Sequence, residues 1–314
     1  MTFCTDFSTD LRNCTLCPRC CEVDRIQGQT GFCGLDAGLH IAAIVCHRGE
    51  EPVLGGEAGI CNVFFRHCNL QCGFCQNRQI SANQDALPPA LAFAEALGRI
   101  IRILETGVTH LGFVSPSPMV PHMVALIRAV RDRGFRPTVV YNSGGYDSVD
   151  TLRRLEGLVD VYLPDCKYRD PALARDLSAA ADYPDQSALA LREMYRQMGR
   201  VLHLDEAGLA RRGLIVRHLV LPGQTADSLA VLRFLADELS SGLTLSLMAQ
   251  YCPGPDTAQW ARGAGYPDLG RRLLPEEYAV VLAEAARLGL SGFTQDLASA
   301  DCLRPDFAQD NPFD

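Results

Sequence analysis

From about residue 58 onward, short apolar runs alternate with longer stretches in which apolar positions recur at helical spacing. Residues 60–66, 108–114, 137–142, 159–163, 214–220 and 243–248 are short, apolar and rich in β-branched side chains, the composition of buried strands. Helical spacing occupies about 88–105, 119–134, 147–156, 187–199 and 225–240, and a further helix follows at 275–288. Pro88-Pro89 opens the first of these, and Gly107 stands just past its end, as helix punctuation predicts. Strands separated by helices predict parallel βα units, and six of them predict an α/β fold of the TIM type, a partial (β/α)6 barrel. Buried parallel strands read as continuous apolar runs. Arg217 and His218 break such a run between Ile215 and Leu221, which marks them for attention.

All six predicted strands end in polar or Pro/Gly-rich segments. These are the cysteines after residue 66, Ser115-Pro116-Ser117-Pro118, Asn142-Ser143-Gly144-Gly145, Asp165-Cys166-Lys167, Arg217 through Gly223, and Gln250 through Pro255. In a barrel of parallel strands the C-terminal ends converge on one mouth, so these segments are expected to surround one site. Residues 1–55 differ in character: Gly28, Gly31, Gly34 and Gly38 break any long helix and five cysteines fall between Cys14 and Cys33. The expected organisation is a cysteine-rich N-terminal metal-binding segment (1–55), a barrel (56–295) and a C-terminal tail (296–314).

Composition narrows the function. A net charge of −8, with basic residues only in short pieces such as Arg131-Asp132-Arg133 and Arg211-Arg212, argues against a nucleic-acid partner. No run approaches the ~20 apolar residues of a membrane span. The N-terminus lacks a basic region followed by an apolar core, so a cytoplasmic, reducing setting is expected. In that setting 14 cysteines clustered at short spacings point to metal rather than to disulfides. The basic residues are 28 arginines and a single lysine, Lys167. Arginine and lysine interchange on most surfaces but not where a compact point charge must fit a tight pocket. Lys167, just beyond an apolar run, is therefore a candidate site residue.

Cys68, Cys72 and Cys75 form a C-x3-C-x2-C segment directly after the first predicted strand. Thiolates at such spacing let one loop hold one iron–sulfur cluster, and three ligands for a 4Fe-4S cube leave one iron open to another molecule. Zinc loops more often pair two C-x2-C units. A second set, Cys14, Cys17, Cys21 and Cys33, offers four thiols among glycine turns, suited to structural zinc or to an auxiliary 4Fe-4S cluster. His47, Glu50 and Glu51 read more readily as a solvated connector than as site residues.

The stretches CTLCPRCCEVDRIQGQTGFCG, EEPVLGG, FFRHCNLQCGFCQNRQIS, VYNSGGYDS, VDVYLPDCKY, GLIVRHLVLPG and LMAQYCPG resemble a subgroup of pyruvate formate-lyase-activating-enzyme homologues among the radical S-adenosylmethionine (SAM) enzymes, over about residues 14–295. The resemblance implies that Cys68, Cys72 and Cys75, with Phe74 before the last, hold a 4Fe-4S cluster whose fourth iron takes the amino and carboxylate groups of SAM. Reductive cleavage of SAM would then yield a 5′-deoxyadenosyl radical that abstracts hydrogen from a substrate. It further implies Lys167 for the SAM carboxylate, Asn142 and Ser143 for its ribose or carboxylate, and Asp165 for a SAM hydroxyl or for Lys167. Arg217 would lie near SAM and substrate. Many relatives end the second strand with Gly-Gly-Glu for the SAM amino group; here Val114-Ser115-Pro116 takes that place, leaving the contact to groups such as Ser115. A flavodoxin or ferredoxin is implied as electron donor and a glycyl-radical enzyme as partner. The alternatives are peptide or small-molecule modification, or an electron-transfer protein without turnover.

Overall fold

The computed structural model describes residues 7, 9–84, 86–298, 305–309 and 311–313. Nine strands form one sheet: β1 (Ile41–His47), β2 (Ile60–Phe65), β3 (His110–Val114), β4 (Thr138–Ser143), β5 (Val161–Pro164), β6 (His203–Leu204), β7 (Ala210–Leu219), β8 (Thr244–Met248) and β9 (Ser291–Thr294). The order is β1-β2-β3-β4-β5-β7-β8-β9, with β6 paired to β7 alone. Every neighbouring pair from β2 to β9 along that path is parallel, whereas β1 runs antiparallel to β2.

The six predicted strands are all present, and the fold is α/β with a mostly parallel sheet. It departs from the expected six-stranded barrel at both edges. A seventh parallel strand, β9, extends it on one side and antiparallel β1 on the other. β1 belongs to the cysteine-rich N-terminal segment, so that segment is joined to the sheet by hydrogen bonds along β2.

The helices are α1 (Arg78–Ser81), α2 (Phe93–Leu104), α3 (Val120–Asp132), α4 (Val149–Arg154), α5 (Pro171–Ser178), α6 (Tyr183–Met198), α7 (Thr225–Phe234), α8 (Pro255–Gly263) and α9 (Pro275–Arg287). α2 starts five residues later than Pro88 suggests, and it buries Ala96, Leu97, Ile100 and Leu104, a stripe at helical spacing. α1, α5 and α8 are not among the predicted helices. α5 nevertheless carries a readable start: Asp170 accepts from the Ala172 N–H at 2.7 Å, and Pro171 occupies the first turn, where its missing N–H costs nothing. No helix among the described residues is long and apolar enough to cross a membrane.

The main core lies between the sheet and its helices and includes Val63, Phe65, Leu111, Phe113, Tyr141, Val216 and Leu245. Phe7, Leu16, Cys33, Leu35 and Leu39 of the N-terminal segment belong to the same core. β2 is buried at every position, as a parallel strand covered on both faces must be. A second apolar cluster of Leu54, Ile60, Val140, Val161, Leu163, Ala210 and Ile215 joins several strands to one another.

Candidate active site

Seven parallel strands side by side at about 4.8 Å spacing would span roughly 30 Å if flat. Yet residues at the C-terminal ends of all seven line one cavity of about 450 Å³, so the sheet curls around it. Each candidate from the C-x3-C-x2-C segment and the strand ends lines this space: Cys68, Phe74, Cys72, Cys75, Ser115, Asn142, Ser143, Asp165, Lys167 and Arg217. Neither Tyr251 nor Cys252 is part of the lining; the Tyr251 hydroxyl donates to the Leu269 carbonyl at 2.7 Å.

The cysteine loop is held from several sides, and the neighbouring donors point at sulfur. The Ser178 hydroxyl lies 2.9 Å from Cys72 Sγ, the Ser81 hydroxyl 3.3 Å from Cys75 Sγ, and the Leu70 N–H 3.4 Å from Cys68 Sγ. Thiolates bound to iron are hydrogen-bond acceptors, and such outer partners set the ligands' orientation. Three thiols from one loop, each facing a donor, thus match the ligand set of a cluster with one open iron. Burial pushes the Cys68 thiol up to about 12, and burial also raises Cys72 despite the opposing effect of Lys167. Metal binding therefore has to displace protons from these sulfurs. Gly73, between two of the cysteines, sits under the Trp260 ring: a Cβ there would lie 2.2 Å from ring carbons, so no larger residue fits. Phe74 packs edge-on against Tyr168, with ring centroids 6.5 Å apart.

Lys167 Nζ lies 2.5 Å from Asp165 Oδ2, next to the Cys72 side of the cavity. Burial opposes its charge, but the Asp165 carboxylate and the Cys72 sulfur outweigh it and hold the ammonium above the ordinary lysine range. Asp165 is thus paired with Lys167, and it also lines the cavity. Ser115 adopts a left-handed backbone (φ 55°), uncommon for a residue with a side chain and often found where a site demands it. Asn142 is half-buried, and among the described residues its side-chain amide has no partner, so it is free for a ligand. Ser143 differs: its hydroxyl donates to Asp147 at 2.6 Å and accepts from the Gly145 N–H. Asp147 collects Ser117 and Tyr141 hydroxyls as well, so Ser143 shapes the turn that presents Asn142.

Arg217 carries the clearest surprise. Its guanidinium bonds both Glu51 oxygens, at 2.7 and 2.6 Å, and also Glu50, whose other oxygen accepts from Asn62 at 2.8 Å. His47 also faces the cavity; its Nδ1 is buried without a hydrogen-bond partner and its ring packs at a tilt of 35° against Phe313, with centroids 3.8 Å apart. The expectation of a solvated connector for His47, Glu50 and Glu51 is therefore corrected. Glu50 and Glu51 are held by Arg217, more than 160 residues away in sequence, and His47 is covered by Phe313; nothing local in the chain announces either. Burial pushes Glu51 up, but the Arg217 charge and hydrogen bonds from Arg217 and Ser246 more than offset this, so the carboxyl rests below its ordinary value.

A sign-reversing pH effect is expected from this group. In the native chain a depressed Glu51 contributes stability above its unfolded value of about 4.3, lost as pH falls through the folded value. Arg217→Met leaves two carboxylates side by side and should cost about 3–5 kcal/mol at neutral pH. Because one carboxyl then takes up a proton more readily than in the unfolded chain, the variant's deficit should shrink on acidification. Urea unfolding at pH 7.5 and 4.5 measures both; a deficit that is equal at the two pH values contradicts the assignment.

The four N-terminal cysteines also come together. Cys14, Cys17, Cys21 and Cys33 line one small cavity with Arg19 and Arg25. Cys4 and Cys302 lie outside the described residues.

No family model matches the chain. An uncharacterized protein of Methanocaldococcus jannaschii, MJ0674, is 29% identical over 286 residues, which cover 89% of this chain and 76% of that protein. Among solved structures, Streptococcus suis SuiB is similar with a TM-score of 0.48 at 14% identity, over 75% of this chain and 49% of SuiB. Methylornithine synthase, PylB, gives 0.48 at 16% identity over 78% of this chain and 72% of its own. The FeFe-hydrogenase maturase HydG from Carboxydothermus hydrogenoformans gives 0.44 at 16% identity, over 74% and 57%. The chain thus spans about half the length of SuiB, and none of these likenesses assigns it a reaction.

Proposed function

We propose that this protein is a radical SAM enzyme whose 4Fe-4S cluster is held by Cys68, Cys72 and Cys75. One observation carries the reading: three thiols from a single loop share one cavity with the chain's single lysine, an unpartnered amide at Asn142 and the strained Ser115 backbone. When bound, the reduced cluster supplies one electron to the SAM sulfonium, releasing methionine and a 5′-deoxyadenosyl radical. The protein orients SAM and keeps water away. Lys167, steadied by Asp165, offers a fixed positive charge for the SAM carboxylate. Asn142 offers donor and acceptor to the ribose or carboxylate, and the chain around Ser115 offers acceptors to the amino group. Arg217, Glu50, Glu51 and His47 form the wall that meets the substrate.

The sequence resemblance offers formation of a glycyl radical on a partner enzyme as one specific form of this reading, beside modification of a peptide or small molecule, with flavodoxin or ferredoxin as donor. An open iron is the property that separates it from a closed electron-transfer cluster. SAM added to the dithionite-reduced, anaerobically loaded protein should change the cluster's electron paramagnetic resonance (EPR) spectrum. A spectrum that does not respond to SAM rejects the proposal.

A further inference from the structure

The two cysteine sets, 35 or more residues apart in sequence, meet at one point in the fold. Cys68 is flanked by two residues that reach the N-terminal set. On one side, His67 Nδ1 lies 2.9 Å from the Cys33 carbonyl, with the His67 backbone in the left-handed region (φ 58°). On the other, the Asn69 carbonyl accepts from Arg19 Nε at 3.0 Å. The Asn69 side chain lies between sulfurs of both sets: its Oδ1 is 3.7 Å from Cys68 Sγ, and the same amide reaches the Cys17 thiol. Its Nδ2 is tied to the Tyr146 carbonyl at 2.7 Å, which fixes it in that position.

The N-terminal set has the makings of an anionic metal centre. The Arg25 side chain is buried, and it donates to the carbonyls of Asp36 and Pro118 while lining the cysteine cavity. Arg19 lines it too, stacked on Phe32 at 3.6 Å, and its Nη2 is buried with no hydrogen-bond partner. A buried guanidinium nitrogen without an acceptor is costly unless something negative faces it. The Phe32 N–H donates to Cys21 Sγ at 3.3 Å, and Gly31 lets the loop close on Cys21, where a Cβ would stand 2.7 Å from sulfur.

Four thiols facing Arg19 and Arg25 suit an anionic metal centre, and zinc and a 4Fe-4S cluster both take four thiolates. The direct links from this set to His67 and Asn69, on either side of Cys68, are what favour a redox cluster over a structural ion. The space among the four thiols is about 10 Å³, so loading has to spread the glycine-flanked loops.

We propose that Cys14, Cys17, Cys21 and Cys33 hold a second 4Fe-4S cluster that relays electrons to the Cys68 site across the His67–Asn69 segment. One electron enters from a reduced flavodoxin-type donor, which is oxidised by one electron. The same electron leaves to the Cys68 site, so the relay returns to its starting state. The inference rests on the radical SAM reading for what the electron does next, but the second site stands on its own residues.

The test uses the full chain, loaded anaerobically with iron and sulfide, beside Cys14→Ser/Cys17→Ser, Asn69→Leu and, as a control, Cys20→Ser. The wild type and Cys20→Ser should hold about eight irons without stoichiometric zinc, and the double variant about half as many. EPR of the reduced wild type should be broadened by two neighbouring paramagnetic centres, and that of the double variant should be narrow. Asn69→Leu, which removes no ligand, should keep all its iron yet slow reduction of the Cys68 site by reduced flavodoxin. One zinc lost from the double variant with four irons retained would overturn the proposal, as would eight irons with no spin interaction. A SAM response missing from a protein that keeps eight coupled irons would instead refute the radical SAM reading alone.

Discussion

Cys72→Ser should remove the cluster iron of the Cys68 loop and, with it, cleavage of SAM. The thiol is buried at the edge of the cavity and faces the Ser178 hydroxyl at 2.9 Å. Loss of an outer partner of a metal ligand commonly costs 10- to 100-fold, so loss of a ligand itself should exceed about 100-fold in deoxyadenosine yield. The folded chain should survive, since serine nearly matches cysteine in size and Gly73 still seats Trp260. Ser178→Ala gives the graded comparison: it keeps the iron but removes the hydrogen bond to sulfur, and should lower yield within the 10- to 100-fold range. Iron analysis with thermal unfolding separates loss of the cluster from loss of the fold. Full iron and full cleavage in Cys72→Ser would remove the ligand assignment.

The second large effect is expected at Lys167. Lys167→Met should leave the cluster iron in place but weaken SAM binding by about 10- to 100-fold, the usual loss when a hydrogen bond to a charged group is removed. It also leaves Asp165 facing the cavity without its ammonium, a negative charge where a carboxylate has to sit. Lys167→Arg is the sharper probe. Twenty-eight other basic positions in the chain are arginine, yet here the Lys167 Cε already lies 3.7 Å from where a Cβ on Gly144 would stand. A planar fork needs more room than a compact ammonium, so Arg should rescue binding only in part. Equilibrium binding of SAM to the loaded protein measures this, and wild-type affinity in Lys167→Met would rule the lysine out.

Much of this site was legible because its chemistry is written in rare residue types. Three cysteines within eight residues and one lysine among 29 basic residues stand out from any background, and the rule that parallel strand ends converge brought them together. The inner strands were equally readable, since Ile60–Phe65 and Val161–Pro164 are buried throughout and need no alternation. What escaped has a common cause in tertiary context. β9 reads Ser-Gly-Phe-Thr, too polar and short to mark itself, and becomes a strand by pairing with β8. β1 is half-buried along most of its length, and its strand character comes from β2. Glu50 and Glu51 look like a surface loop until Arg217 arrives from β7, and His47 until Phe313 covers it. The Ser178 and Ser81 donors to sulfur lie outside the cysteine loop, on α5 and α1, and no local pattern marks either one.

The C-terminal segment adds a further layer. Phe307 and Phe313 pack on Phe64 with ring centroids 5.3 and 5.7 Å away, and Gln79 pairs with Asp306 and the Phe307 N–H. Residues near the C-terminus thus border the same cavity that the first cysteine loop opens onto, and Phe313 contributes to its lining.

The most direct measurement of the central claim is 5′-deoxyadenosine, quantified by mass spectrometry after anaerobic incubation of the iron-loaded protein with dithionite and SAM. Wild-type protein should form it and the Cys72→Ser variant should not, with methionine appearing in equal amount. No deoxyadenosine from a protein whose Cys68–Cys75 cluster is complete, reduced and bound to SAM would contradict the account.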